Sequence, residues 1–218
     1  MAAIAVALEV GRKRTFATAL EWPGWCRPGR DEDAALEALA VYRPRYAAIL
    51  RAAHRRVPGA GDLEVLERLP GSATTDFGAP GAPPAADAAP VTSRDLARLT
   101  AILEACWDAF DAAVTTAHGR TLRTGPRGGG RTLDGIVEHV TGGERSYLGA
   151  LGGSARDPST HGEVRRAFIA ALGQRARGKL PDVGPRGGAR WSPRFVTRYT
   201  AWHTTDHLWE IEDRAVAG

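Results

Sequence analysis

The chain has 218 residues, of which 43% are hydrophobic and 25% charged, so it is long enough to bury one large core or two small ones. The net charge is +4, but the basic residues are scattered among acidic ones, which argues against a nucleic-acid partner. Two distant cysteines do not indicate a disulfide framework, and no apolar stretch is long enough to span a bilayer. Because no signal peptide is recognisable, we expect a cytoplasmic protein without a membrane partner.

Residues 1–77 are predicted to form a small α/β domain that begins with a β-hairpin. Apolar and small residues alternate over residues 2–10, and residues 15–21 form a second β-prone run after a short turn. The Trp-Pro-Gly-Trp segment from Trp22 to Trp25 should end the second strand, because proline cannot continue a central ladder and glycine relaxes the backbone.

The rest of this domain is predicted as a helix followed by a third strand. Asp31 and Asp33 precede apolar residues at helical spacing and are candidate N-caps. Pro44 lies inside this helical pattern and should break or kink the helix. Residues 62–69 are the candidate third strand. A hairpin followed by a helix faintly resembles HicB-like small domains, but the pattern is too generic to imply a function.

Residues 78–92 are predicted to be a linker to a C-terminal domain at residues 93–218. Gly, Pro and Ala dominate residues 78–90, and no large apolar side chain occurs there. Beyond the linker, apolar residues recur every three or four positions, and Ser192-Pro193 places an N-cap before a first-turn proline. The expected fold class is α+β, with a four-helix bundle after the linker. The four predicted helices begin near Ser93, Thr132, Thr160 and Ser192, and the last three end near Leu151, Arg177 and Asp213.

His203 and His207 are the strongest candidates for chemistry. They are four residues apart on the last helix, so both imidazoles can reach one metal ion at about 2.0–2.1 Å. The alternative is a chance pair on a helix surface, but aromatic neighbours indicate a partly buried face on which imidazoles need polar partners. His139, on the buried side of the second bundle helix, is the natural third ligand. A core histidine satisfied by Glu138 or Glu144 is an equal alternative.

Two stretches of the C-terminal part carry a recognisable motif. One is Glu138-His-Val on the second helix, and the other is the run from Ala201 to Arg214, which contains His-x-x-x-His. Together they resemble the DinB-like family, also called the YfiT-like group of metal-dependent hydrolases. The resemblance extends from about Ser93 to Arg214.

This resemblance implies a four-helix bundle in which His139, His203 and His207 bind a divalent metal, most often zinc or nickel. Some members are thiol-dependent transferases or isomerases, which implies a low-molecular-weight thiol such as mycothiol, bacillithiol or glutathione as a second cofactor. Many members have no known activity, so the resemblance transfers a metal site more securely than a reaction. Members often pair, so it also implies a homodimer.

Acidic residues on the last helix are candidates for a catalytic role. Asp206 and Glu210 are placed to act as a base or to orient a histidine next to the metal. Solvated acids, or acids paired with arginine, are the commoner situation on such a helix and remain the favoured alternative.

Aromatic residues are candidates for a pocket wall, namely Trp22, Trp25, Tyr199 and Trp202. For the two tryptophans of the Trp-Pro-Gly-Trp segment, packing between the two halves of the chain is the favoured alternative. The leading hypothesis is a metal-dependent hydrolase or thiol-dependent transferase that acts on a small molecule. The alternatives are a non-catalytic binding module with a structural metal and a DNA-damage or stress-associated protein.

Overall fold

The computed structural model describes residues 3–124, 130–156 and 160–215. Over these ranges the protein is α+β, as predicted, with one four-stranded mixed sheet and six α-helices. The strands are β1 (Ile4–Val10), β2 (Thr15–Ala19), β3 (Cys26–Gly29) and β4 (Leu63–Pro70). The helices are α1 (Glu32–Ala52), α2 (Ala73–Phe77), α3 (Ser93–Ala117), α4 (Leu133–Leu151), α5 (His161–Ala176) and α6 (Pro193–Arg214).

The sheet is built on the predicted N-terminal hairpin. β1 and β2 pair antiparallel, from Val6 opposite Ala19 to Val10 opposite Thr15, which confirms the hairpin. The strand order is β3-β2-β1-β4, and β4 runs parallel to β1, so the candidate strand at 62–69 is also confirmed. β3 is absent from the sequence-based prediction, because four residues that include a proline show no alternating pattern.

Helix α1 begins at the predicted aspartate cap, because the Asp31 side chain accepts a hydrogen bond from the backbone N–H of Ala34 at 2.9 Å. Of the predicted break or kink at Pro44, the break does not occur, since α1 continues through the proline. Leu39 and Leu50 flank the proline and are fully buried. Packing on both sides of Pro44 therefore outweighs the one helical hydrogen bond that proline cannot make.

The segment rich in Gly, Pro and Ala packs against α6. It contains a short 3-10 helix, Ala85–Ala88, in which Asp87 is only 1% exposed. The Asp87 carboxylate accepts hydrogen bonds from the Arg198 guanidinium of α6, at 2.9 Å from Nε and 2.6 Å from Nη2. Arg198 also donates to the carbonyl oxygen of Ala19, at the end of β2. The composition predicts a connector, and this buried ion pair fixes the connecting segment to both α6 and the sheet.

The four long C-terminal helices lie close to their predicted positions, and each contacts the other three. Each begins at a side-chain cap that accepts a hydrogen bond from the backbone N–H three residues later. The caps are Thr92, Thr132, Thr160 and Ser192, so the cap of the first of these helices lies one residue before Ser93, the predicted beginning of that helix.

One hydrophobic core runs through the sheet and the helices. It includes Leu8 of β1, Leu39 of α1, Leu103 of α3, Phe168 of α5 and Trp209 of α6. The helices that carry the candidate histidines are therefore fixed by packing on several sides. Within the described ranges, no helix combines the length and the apolar character that crossing a membrane requires.

Candidate metal centre

Two neighbouring helices bring the three predicted histidines together. His139 lies on α4, and His203 and His207 lie one turn apart on α6, which packs against α4. Gly143, one turn beyond His139, allows this close approach. A Cβ atom at Gly143 would lie 2.8 Å from Cε1 of His203, closer than packed carbon atoms tolerate. The absence of a side chain at Gly143 thus leaves room for the His203 ring.

The geometry of the three imidazoles suits a metal ion. One ligand nitrogen from each ring lies within 4.8 Å of the others, and the Nε2 atoms of His139 and His203 are 3.1 Å apart. The three pairs of ring centroids are 4.7 to 4.9 Å apart. Three nitrogens at the usual zinc–nitrogen distance in a tetrahedron are separated by roughly 3.4 Å. The three histidines are therefore close enough to bind one metal ion.

Burial keeps two of these imidazoles uncharged. It lowers the pKa of His203 to about 2, with smaller contributions from His207 and His139. Burial, followed by the proximity of His207, also lowers the pKa of His139. Neutral imidazole is the form that offers a lone pair to a metal. The donor set at neutral pH therefore fits a divalent cation without prior loss of protons from these two rings.

A carboxylate fixes the orientation of the His207 ring. The Nδ1 atom of His207 donates a hydrogen bond to Glu210 at 2.7 Å, which leaves Nε2 as the free lone pair. This hydrogen bond is the main reason that the pKa of Glu210 is lowered. Arg214 donates to the other carboxylate oxygen of Glu210, and its Nη2 atom donates to the carbonyl oxygen of Arg131 at 2.9 Å. Glu210 thus fixes the orientation of the His207 ring, and Arg214 in turn fixes the Glu210 carboxylate.

The Nδ1 nitrogen of His203, unlike that of His207, has no carboxylate partner among the described residues. This atom is buried and makes no hydrogen bond to any residue that the structure describes. This Nδ1 atom and the hydroxyl oxygen of Tyr147 are both 3.2 Å from the position that a Cβ atom at Gly143 would take. If Nε2 binds a metal, Nδ1 carries the proton.

Comparisons of the chain with protein-family models, curated proteins and solved structures found no match. The DinB-like resemblance therefore rests on the motif around His139, His203 and His207 and remains a prediction. The convergence of these three residues is an independent observation, because it comes from the folded geometry of this chain.

The structure places the two candidate acids differently. Glu210 contacts His207, as described above. Asp206 instead pairs with Arg27 of β3, at 2.9 Å from Nη1, and its side chain is 40% exposed. The guanidinium of Arg27 in turn lies over the ring of Tyr42, 3.9 Å from its centroid. The described contacts of Asp206 thus join α6 to the sheet.

The Trp-Pro-Gly-Trp turn packs the N-terminal part against α6. Trp25 is fully buried, stacks on Tyr46 with centroids 5.7 Å apart, and donates its indole N–H to a backbone carbonyl of α1. Thr205 of α6 donates a hydrogen bond to the carbonyl of Gly24 at 2.8 Å. Trp22 is half-buried and lines a separate cleft beside α3.

Tyr199 and Trp202 lie on α6 beside the candidate metal centre. The ring centroid of Trp202 is 6.1 Å from that of His203. Tyr199 packs on Tyr147 at 5.0 Å, and Tyr147 lies edge-on to His203 at 5.5 Å. These aromatic rings form an apolar wall along one side of His203, which excludes water there and accounts for its low pKa.

Three residues of this site are missing from the sequence-based candidates. Gly143 and Tyr147 are four and eight residues after His139, so helical spacing places them on its face of α4. Arg214 is four residues after Glu210 and forms an ion pair with it along α6. The helical period carried a signal for all three, but only the structure shows that Gly143 and Tyr147 approach His203 and that Arg214 holds the partner of His207.

Proposed function

We propose that this protein is a DinB-like metal-dependent enzyme, a hydrolase or a thiol-dependent transferase that acts on a small molecule. In this proposal, residues 93–218 form the four-helix bundle of that family and pair in a homodimer. His139, His203 and His207 hold Zn²⁺ or Ni²⁺. The observation that supports the proposal most directly is the convergence of three imidazoles from two helices on one point.

The proposed chemistry follows from the donor set. A divalent metal held by three neutral imidazoles keeps a position for water or a thiol, and it lowers the pKa of that group towards neutrality. Glu210 and Arg214 hold the His207 ring at a fixed angle. The aromatic wall formed by Tyr147, Tyr199 and Trp202 excludes water on one side. Substrate would approach from the side of His139, which is only half-buried.

A structural metal without catalysis is the second candidate. It is favoured by the burial of two ligands, since His203 and His207 are 6% and 9% exposed within a packed helix. A structural ion contributes directly to folding, whereas an ion in an open catalytic site contributes less. The two candidates therefore differ in how strongly metal removal lowers the melting temperature.

Metal analysis of protein purified without a histidine tag tests the proposal. We expect close to one equivalent of zinc or nickel in the wild type, and we expect uptake to be lost in His139→Ala and in His203→Ala. His118→Ala is the matched control, because His118 is exposed at the end of α3. Retention of the metal by both His139→Ala and His203→Ala would refute the site.

Thermal melting with and without a chelator separates the two candidates. A shift of only a few degrees, with the fold intact, supports an open site with a role in catalysis. Unfolding upon metal removal supports the structural role. Turnover of ester substrates, with and without added glutathione, then distinguishes the hydrolase from the thiol-dependent transferase.

A further inference from the structure

We propose that a cleft remote from the histidines binds a small organic anion, with a phosphate or carboxylate head on an apolar body. The cleft lies between the start of β1, the end of α1 and the start of α3. We call it the arginine cleft. Its key residues are Trp22, Arg55, Arg56, Arg94, Arg98 and Ile102.

A tight turn after α1 directs two of the arginines into the cleft. His54 has a positive φ of 54°, and the backbone N–H of Arg55 bonds to the carbonyl of Leu50, which ends the helix abruptly. Arg55 and Arg56 follow at once and are exposed. Such a conformation is costly for a residue other than glycine. The chain thus tolerates strain at the position that brings these two side chains beside α3.

The positive charge of the cleft is only partly compensated. Arg98 pairs with Glu21, at 2.9 Å. Asp95, the other acid lining the cleft, caps α3 and binds Arg194 at 2.8 Å, so it is already engaged. Among the described residues, no acidic partner of the three remaining arginines is found. These are Arg55, Arg56 and Arg94.

The floor of the cleft is apolar. Ile4 and Ile102 line it and are 6% and 4% exposed, and the half-buried ring of Trp22 lies beside them. An arginine rim over an apolar floor matches a ligand that has both an oxyanion and a hydrophobic or aromatic body. Guanidinium groups pair in a bidentate manner with phosphate and carboxylate alike, so the head group can be either.

The arginine cleft is independent of the metal centre. None of its lining residues belongs to α4 or α6, which carry His139, His203 and His207. The proposed anion site therefore does not depend on the proposed metal-dependent activity. It would give this protein a second ligand, and the bound anion would join the end of α1 to the start of α3.

Calorimetric titration of the full chain with three matched probes tests the proposal. The probes are naphthyl phosphate, naphthoate and uncharged naphthalenemethanol, which share one ring system and differ in the head group. We expect at least one of the two anions to bind at least about tenfold more tightly than the neutral probe, and to weaken with added salt. The tighter anion identifies the head group. Equal binding of all three probes, or no binding of either anion, would overturn the proposal.

Two pairs of variants assign that binding to the cleft. Arg55→Gln combined with Arg94→Gln should weaken anion binding at least about tenfold, whereas Arg186→Gln, an exposed arginine elsewhere, should not change it. Ala97→Glu adds a negative charge to an exposed cleft position of α3 and should also weaken binding at least about fivefold, whereas Ala112→Glu further along the same helix should not. Equal effects within both pairs would place the anion elsewhere and overturn the proposal.

Discussion

Helix α6 carries two buried polar groups that differ in how completely they are satisfied. Near its start, Arg198 is matched by the buried carboxylate of Asp87, and both ends of this ion pair are hydrogen-bonded. One turn further on, His203 and His207 face His139, and the Nδ1 atom of His203 is buried without a hydrogen-bond partner among the described residues. The first group is self-sufficient, whereas the second is a set of lone pairs for which a cation is the natural complement.

This difference separates structural from functional polar groups on one helix. A buried pair with opposite charges needs nothing from outside the protein, and its loss should appear as a loss of stability. A cluster of neutral donors gains from a ligand, and its loss should appear in binding.

The largest expected effect is on the ion pair. Asp87→Ala leaves the Arg198 guanidinium buried without a counter-charge, and we expect the free energy of unfolding to fall by about 3–5 kcal/mol. Urea unfolding followed by circular dichroism measures this change. Asp182→Ala is the control, because Asp182 is 92% exposed where it pairs with Arg175, and it should cost about 1 kcal/mol or less. Similar losses in both variants would contradict the structural role of the buried pair.

The ion pair also shows where sequence-based prediction reached its limit. Asp87 and Arg198 are 111 residues apart, and Asp87 lies in a segment whose composition indicates a connector. Nothing in local spacing links one aspartate to one distant arginine. By contrast, the hairpin and the starts of α4, α5 and α6 could be predicted, because alternation, caps and helical period are local signals.

The candidate site also combines features that local sequence patterns predict with features that depend on tertiary packing. The pairing of His203 with His207 follows from their spacing on one helix. The approach of His139 depends on tertiary packing, so the sequence alone left a core histidine as an equal alternative to a third ligand. Asp206 and Glu210 are one turn apart and look equivalent in the sequence. They make different contacts because β3 supplies Arg27 on one side, and β3 itself carried no sequence signal.

The next largest effect is on metal affinity. Glu210→Gln removes the charge that fixes the orientation of His207 through its Nδ1 hydrogen bond, so we expect the affinity for zinc to fall about 10–100-fold. Competition with a chromogenic chelator measures this affinity. Glu212→Gln is a matched control two residues further along α6, where Glu212 pairs with Arg45 on the surface, and it should leave the affinity unchanged. An unaltered affinity in Glu210→Gln would mean that the carboxylate does not support the ligand.

The metal-free protein should also lose stability in acid because of His203. An imidazole in the unfolded chain takes up a proton near pH 6.5, whereas burial lowers the pKa of folded His203 to about 2. Between these values the unfolded state binds more protons, so stability falls as pH falls. From about pH 6 to pH 5 we expect the wild type to lose about 1 kcal/mol more than His203→Gln does.

Chelator-treated protein is compared at the two pH values by urea unfolding, and the difference between the variants cancels the contribution of the carboxylates. Nuclear magnetic resonance gives a second readout in the wild type. The His203 ring proton should show no titration down to about pH 4, as a pKa near 2 requires. A midpoint near the ordinary histidine value would show that the ring is not buried in the neutral form.

The smallest expected effect on stability is that of removing the charge of Asp206 on α6. Asp206→Asn weakens the ion pair with Arg27, but this carboxylate is 40% exposed, so we expect the free energy of unfolding to change by about 1 kcal/mol or less. Zinc affinity should not change, although Asp206 directly precedes His207 in the sequence, because its described contacts run to the sheet. Chelator competition and urea unfolding on the same preparation measure both quantities. A loss of zinc affinity comparable to that of Glu210→Gln would show that Asp206 supports the metal ligands. The structural and ligand-binding groups of α6 would then not be separate.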